Sequence, residues 1–89
     1  MREGMKPQKK EGVKVVQDEG GNVLLTDGKQ FFSVDPVILF VLERCNGELT
    51  MEQIAGELAE ATGLAIEMVQ RVVEQIIEAL ANAGMIERT

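Results

Sequence analysis

Residues able to carry covalent or metal chemistry are scarce in this chain. There is no histidine, so the commonest general base and metal ligand is missing. The one thiol, Cys45, cannot build a zinc or iron–sulfur site, which needs several clustered thiolates or imidazoles. A reactive thiolate also needs a nearby cation or a helix N-terminus, and here only Arg44 is adjacent. Cys45 therefore reads as a small buried or half-buried hydrophobe at a helix end. Gly20-Gly21 precedes a strand-like run, whereas phosphate-cradling glycines lead into a helix. The carboxylates are numerous but fall in runs that suit solvated faces. The expectation is a protein without catalytic residues, metal ligands or a cofactor.

What remains is binding. Gln30-Phe31-Phe32-Ser33-Val34 is short and apolar and has no internal charge or proline to blunt an exposed strand edge. Phe31 and Phe32 point to opposite faces, so at most one meets a partner and the other is core. A second apolar surface lies near the C-terminus. At 100° per residue, Glu67, Gln70, Arg71, Glu74, Gln75 and Glu78 share one arc of a helix. The apolar positions from Ile66 to Leu80 fill about 180°, more than the stripe of about 100° that a surface helix needs. Val69, Val73, Ile76 and Leu80 suffice for a core. Met68, Val72 and Ala79 lie on one flank, where either the strands cover them or they line an open groove. Periodicity leaves both readings standing and leans to the first.

The elements that must position these residues are legible from turn and cap signals. Residues 1–12 are polar and aperiodic and predict a disordered basic arm, with the folded domain at 13–89. Val13, Val15 and Val16 open a strand that turns through Asp18-Glu19-Gly20-Gly21-Asn22 into Val23-Leu24-Leu25. Asp27-Gly28 predicts a tight type I′ turn into a third strand, residues 30–34. Asp35 and Pro36 then predict an N-cap and first helical position. That helix is expected to reach Cys45 and to stop at Asn46-Gly47. Thr50 and Gln53 form a capping box for a second helix ending at Thr62-Gly63. A third runs from Ile66 to Asn82, and Met85-Ile86-Glu87 adds a short strand. The fold class is thus α+β and winged-helix-like, a three-stranded antiparallel meander followed by three helices.

Charge narrows the partner. Residues 1–14 carry five basic and two acidic groups; the other 75 carry four basic and 13 acidic. An acidic body argues against nucleic acid, whose phosphates demand Lys and Arg. No apolar run approaches the roughly 20 residues of a membrane span. MREGMKPQKKEG has no apolar signal core, and a lone thiol suits a reducing compartment, so the expected location is the cytoplasm.

Several segments, in order, resemble the PqqD-like proteins, recognition elements for ribosomally made and post-translationally modified peptides. They are Val34-Asp35-Pro36-Val37, Val41-Leu42-Glu43-Arg44-Cys45-Asn46-Gly47, Thr50-Met51-Glu52-Gln53-Ile54 with Leu58, and Gly63, Val69, Val73, Ile76-Ile77, Leu80 and Gly84-Met85-Ile86. The resemblance spans about residues 13–88. It implies that the leader segment of a precursor peptide adds as a strand beside the third strand and packs on the third helix. Carried over, the peptide-binding residues are Lys29, Gln30, Phe31, Phe32, Ser33 and Val34 on the strand side. On the helix side they are Met68, Arg71, Val72, Gln75, Ile76 and Ala79. It further implies a separate modifying enzyme, often a radical S-adenosylmethionine protein, and a monomer or weak dimer. Two positions depart from the family pattern: Val72 stands where Asp is frequent, and Ala65-Ile66 where an acidic or proline-containing cap is usual. The competing expectations are a winged-helix DNA-binding regulator and a module that dimerises through the same strand edge.

Overall fold

The computed structural model describes residues 5–88. The elements run β1 (Pro7–Lys9), β2 (Lys14–Gln17), β3 (Val23–Thr26), β4 (Phe31–Ser33), α1 (Pro36–Glu43), α2 (Met51–Thr62), α3 (Ile66–Asn82) and β5 (Ile86–Arg88). β2, β3 and β4 form the antiparallel meander, in that order across the sheet. With three helices beside it, the fold is α+β.

Local chemistry accounts for the helix starts. Asp35 accepts a hydrogen bond from the Ile38 N–H at 2.8 Å, and Pro36 occupies the first helical position. In α2 the Thr50 hydroxyl accepts from Gln53 N–H at 3.1 Å while Gln53 Oε1 accepts from Thr50 N–H at 2.9 Å, closing the capping box. Gly63 ends α2 in the left-handed conformation at φ 75°. α3 begins at Ala65 without any side-chain cap.

The core gathers one face of each element. Leu25, Val41, Ile54, Val69, Val73, Ile77, Met85 and Ile86 are all at most 2 % exposed. Each aliphatic side chain buried in this way contributes about 1.5–3 kcal/mol. On α3 Ile77 is fully buried beside Val69 and Val73, with Ile76 half-buried against the core. The expected core set of Val69, Val73, Ile76 and Leu80 is thus corrected at one place, where Ile77 takes a fully buried position and Ile76 the margin.

Three further expectations are corrected. The register Thr26↔Phe31 leaves four residues between β3 and β4, so Asp27-Gly28 is not a two-residue type I′ turn. Gly28 alone has positive φ, at 97°. Asp27 instead orders the loop by accepting from the N–H groups of Lys29 and Gln30, each at 2.9 Å, an Asx-type arrangement. α1 stops at Glu43, short of Cys45: the N–H groups of Arg44 and Cys45 turn to the Val41 and Leu42 carbonyls three residues back, each at 3.0 Å, and the Cys45 carbonyl accepts from Lys9 N–H at 2.8 Å. The third correction concerns the arm expected to be disordered: Pro7–Lys9 is a strand, paired antiparallel with β5. Gly47 N–H donates to the Pro7 carbonyl at 3.0 Å, and Lys10 N–H to the Met85 carbonyl at 3.0 Å. These partners are remote in sequence, so no local pattern announces the strand. Residues 1–4 of that arm lie outside the described residues.

Candidate functional site

β4 borders the sheet. Its inner neighbour is β3, through Leu24↔Ser33, Leu25↔Phe32 and Thr26↔Phe31, and no strand among the described residues pairs with its outer side. Val34 extends the inner pairing, its N–H donating to the Val23 carbonyl at 3.2 Å. The outer side of Phe31–Ser33 thus presents backbone donors and acceptors with no strand partner among the described residues, and no proline or charged side chain interrupts it. Phe32 packs against the core, whereas Phe31 is 62 % exposed. The two phenylalanines divide as alternation requires.

The flanks of α3 are unlike. On one, Gln70 and Glu74 meet Met51 and Glu52 of α2 across a shallow crevice. On the other, Met68 is 53 % and Val72 36 % exposed, and Ala79 is exposed as well. This second flank faces away from α2 and supplies an aliphatic stripe that the core does not use. Arg71 and Gln75 lie on the most outward arc, beside the stripe rather than within it.

The strand and helix sets share one core cluster. Phe32, Val34 and Ile76 are half-buried against the same cluster that holds Val69 and Val73. Lys29, Gln30, Phe31, Ser33, Met68, Arg71, Val72, Gln75 and Ala79 are all exposed. Neither Lys29 nor Arg71 forms an ion pair among the described residues. Arg44 does form one: its Nε sits 2.7 Å from Glu57 Oε1. Its guanidinium lies 3.5 Å from the Phe40 ring centroid, and its Nη1 donates to the Phe40 carbonyl at 3.1 Å. This ties α1 to α2. The four-residue spacing of Phe40 and Arg44 on a helix is the signal that sequence reasoning passed over.

Cys45 is 3 % exposed, and its sulfur donates to the Val41 carbonyl at 3.2 Å. Burial pushes the thiol up to about 11, so it stays protonated at neutral pH and is a poor nucleophile. Two further crevices are lined by Phe40, Arg44, Glu57, Glu60 and Ala61, and by Met5, Met51, Glu74, Ile77 and Glu78. Neither pairs a nucleophile with a base.

The family model for coenzyme PQQ synthesis protein D (PqqD) matches residues 16–86. The chain belongs to the PqqD family. Among solved structures, it is similar to the PqqD truncation of Methylobacterium extorquens PqqCD, described as a functional, stand-alone recognition element for ribosomally synthesised and post-translationally modified peptides. Identity is 23 %, the TM-score is 0.76, and the match covers 91 % of this chain and 87 % of that one. It is also similar to lasso peptide synthetase B1, solved in complex with a leader peptide, at 15 % identity and a TM-score of 0.76, over 92 % of this chain and 98 % of that one. At these identities the two structures establish the PqqD-type fold. A comparison with curated proteins finds no match. The family match begins at Val16, so β1 lies outside it.

Proposed function

We propose that this member of the PqqD family is a non-catalytic recognition domain for the leader segment of a ribosomally made precursor peptide, which it delivers to a separate modifying enzyme. The carrying observation is the open outer edge of β4 in a fold whose α3 leaves an aliphatic flank uncovered. An extended peptide satisfies the edge groups as a fourth strand, and its alternate side chains settle on Met68, Val72 and Ala79. Lys29, Gln30, Phe31, Phe32, Ser33 and Val34 form the strand side of this site. Arg71, Gln75 and Ile76 complete the helix side. The lasso synthetase structure, which holds a leader peptide on the same fold, supports this reading.

The single thiol is buried, so a radical enzyme's cluster belongs to the partner. A radical S-adenosylmethionine protein is the partner class we propose, with the chain acting in the cytoplasm as a monomer or weak dimer. Among the described residues no helix is long and apolar enough to cross a membrane. An affinity near micromolar, about −8 kcal/mol, suits an adaptor that binds and then releases its cargo. DNA reading by α3 is disfavoured by Glu67, Glu74 and Glu78, which stand against Arg71 alone on the exposed arc of that helix.

The test is an amide NMR titration with the leader of the small precursor peptide encoded beside the gene. Shifts are expected at residues 30–34 and at Met68, Val72 and Ala79. Val72→Glu is expected to weaken binding about tenfold or more while leaving the urea midpoint unchanged, since Val72 is outside the core. Saturable binding that leaves the β4 amides unmoved overturns the proposal.

A further inference from the structure

Phe31 is an aromatic side chain that the fold does not use. It is 62 % exposed on a three-residue strand, while its neighbour Phe32 supplies the contact with the core. The register shows what surrounds it. Directly paired residues share a face, so Phe31, Thr26 and Lys14 form one row on the outer face of the sheet. Ser33, Leu24 and Val16 form the next. Leu24 and Val16 are half-buried and Thr26 is buried, so this outer face is partly apolar and ends at the ring of Phe31 on the open border.

A strand added along that border places one residue directly opposite Phe31, with the two Cβ atoms about 4.5–5.5 Å apart. Its side chain necessarily points to the outer face, because alternate residues of a strand face opposite ways. The residues on either side of it point to the opposite face of the sheet, the one on which Phe32 meets the core.

Resting on the reading of β4 as the docking edge, we propose that Phe31 is a specificity-determining residue: it pairs with an apolar, preferentially aromatic or β-branched, side chain of the bound peptide. The peptide is then read on both faces of the sheet. One side chain enters the aliphatic stripe of Met68 and Val72, and the adjacent one covers Phe31. The ligand class is an extended segment with apolar residues at neighbouring positions, not only at alternate ones.

The experiment uses a phage-displayed library of random 12-residue peptides selected on the full chain and, separately, on Phe31→Thr, which keeps strand propensity. Selection on the full chain is expected to return two neighbouring apolar positions. Selection on Phe31→Thr is expected to retain one and lose the other. In calorimetry, a peptide selected on the full chain is expected to bind Phe31→Thr about two- to fivefold more weakly, with Phe31→Tyr restoring affinity. The same substitutions leave the urea midpoint unchanged, which separates recognition from folding. Identical selected profiles and equal affinities overturn the role of Phe31 and leave the edge reading intact, provided Val72→Glu still weakens binding. If selected peptides bind Val72→Glu fully and do not shift the amides of Phe31, Phe32 and Ser33, or if no peptide is selected, the edge reading itself fails.

Discussion

Cys45 shows how one environment can silence a reactive group. Packed at 3 % exposure below the end of α1 and bonded to the Val41 carbonyl, its thiol holds its proton up to about pH 11. The folded-state value lies above the ordinary 9.0, so the folded chain binds this proton more tightly than the unfolded chain does. The resulting stabilisation is complete below pH 9 and is lost as pH rises toward 11. Over that interval the urea midpoint of the native chain should therefore fall more than that of Cys45→Ala. The native thiol should also resist iodoacetamide at pH 7.5 until urea unfolds the chain. Rapid alkylation of the folded protein would contradict the burial. Arg44, next in sequence, has the opposite fate: its charge is held between Phe40 and Glu57.

Among the elements, α2 and α3 make an instructive pair. α2 begins with a complete capping box, whereas Ala65 leaves the first N–H groups of α3 without a side-chain acceptor. Ala65 already has extended backbone angles, φ −65° and ψ 137°, so a better cap fits without rearrangement. Ala65→Asp is expected to raise stability by about 1 kcal/mol, seen as a higher urea midpoint with unchanged slope. Both helices were legible in the sequence, since caps, glycine stops and a 3.6-residue period are all local signals. The span Ile66–Asn82 agrees with the sequence expectation at both ends. β4 was legible as a strand, and Phe31 and Phe32 as residues of opposite fate, because strand alternation is local as well. The Asp27 loop was not, since Asp-Gly marks a turn but the register across Thr26↔Phe31 decides its length. Nor could periodicity decide whether the Met68–Val72 flank is covered. That depends on where the strands and α2 lie: the strands leave Met68 53 % and Val72 36 % exposed, and α2 meets α3 at Gln70 and Glu74.

At the scale of the molecule, the N-terminal segment is the largest departure from what the residues announce. A polar run containing proline and lysines predicts a solvated arm, yet Pro7 is fully buried and β1 lies between β5 and the loop after α1. Removing residues 1–9 is expected to cost about 2–4 kcal/mol, from lost proline burial and from the backbone hydrogen bonds to Cys45 and Gly47. Urea unfolding of the truncated chain measures this, and an unchanged midpoint would return the segment to the status of a loose tail.

The pairing of Pro7 with Arg88 has an architectural corollary. The way into this domain and the way out of it lie side by side, a few ångströms apart across one two-stranded ribbon. A polypeptide hosting the domain in one of its surface loops would need to open that loop hardly at all. Linking the two ends with a short glycine–serine bridge and reopening the chain at Gly20-Gly21 should likewise yield a permuted domain that folds, as the tip of the first hairpin is exposed.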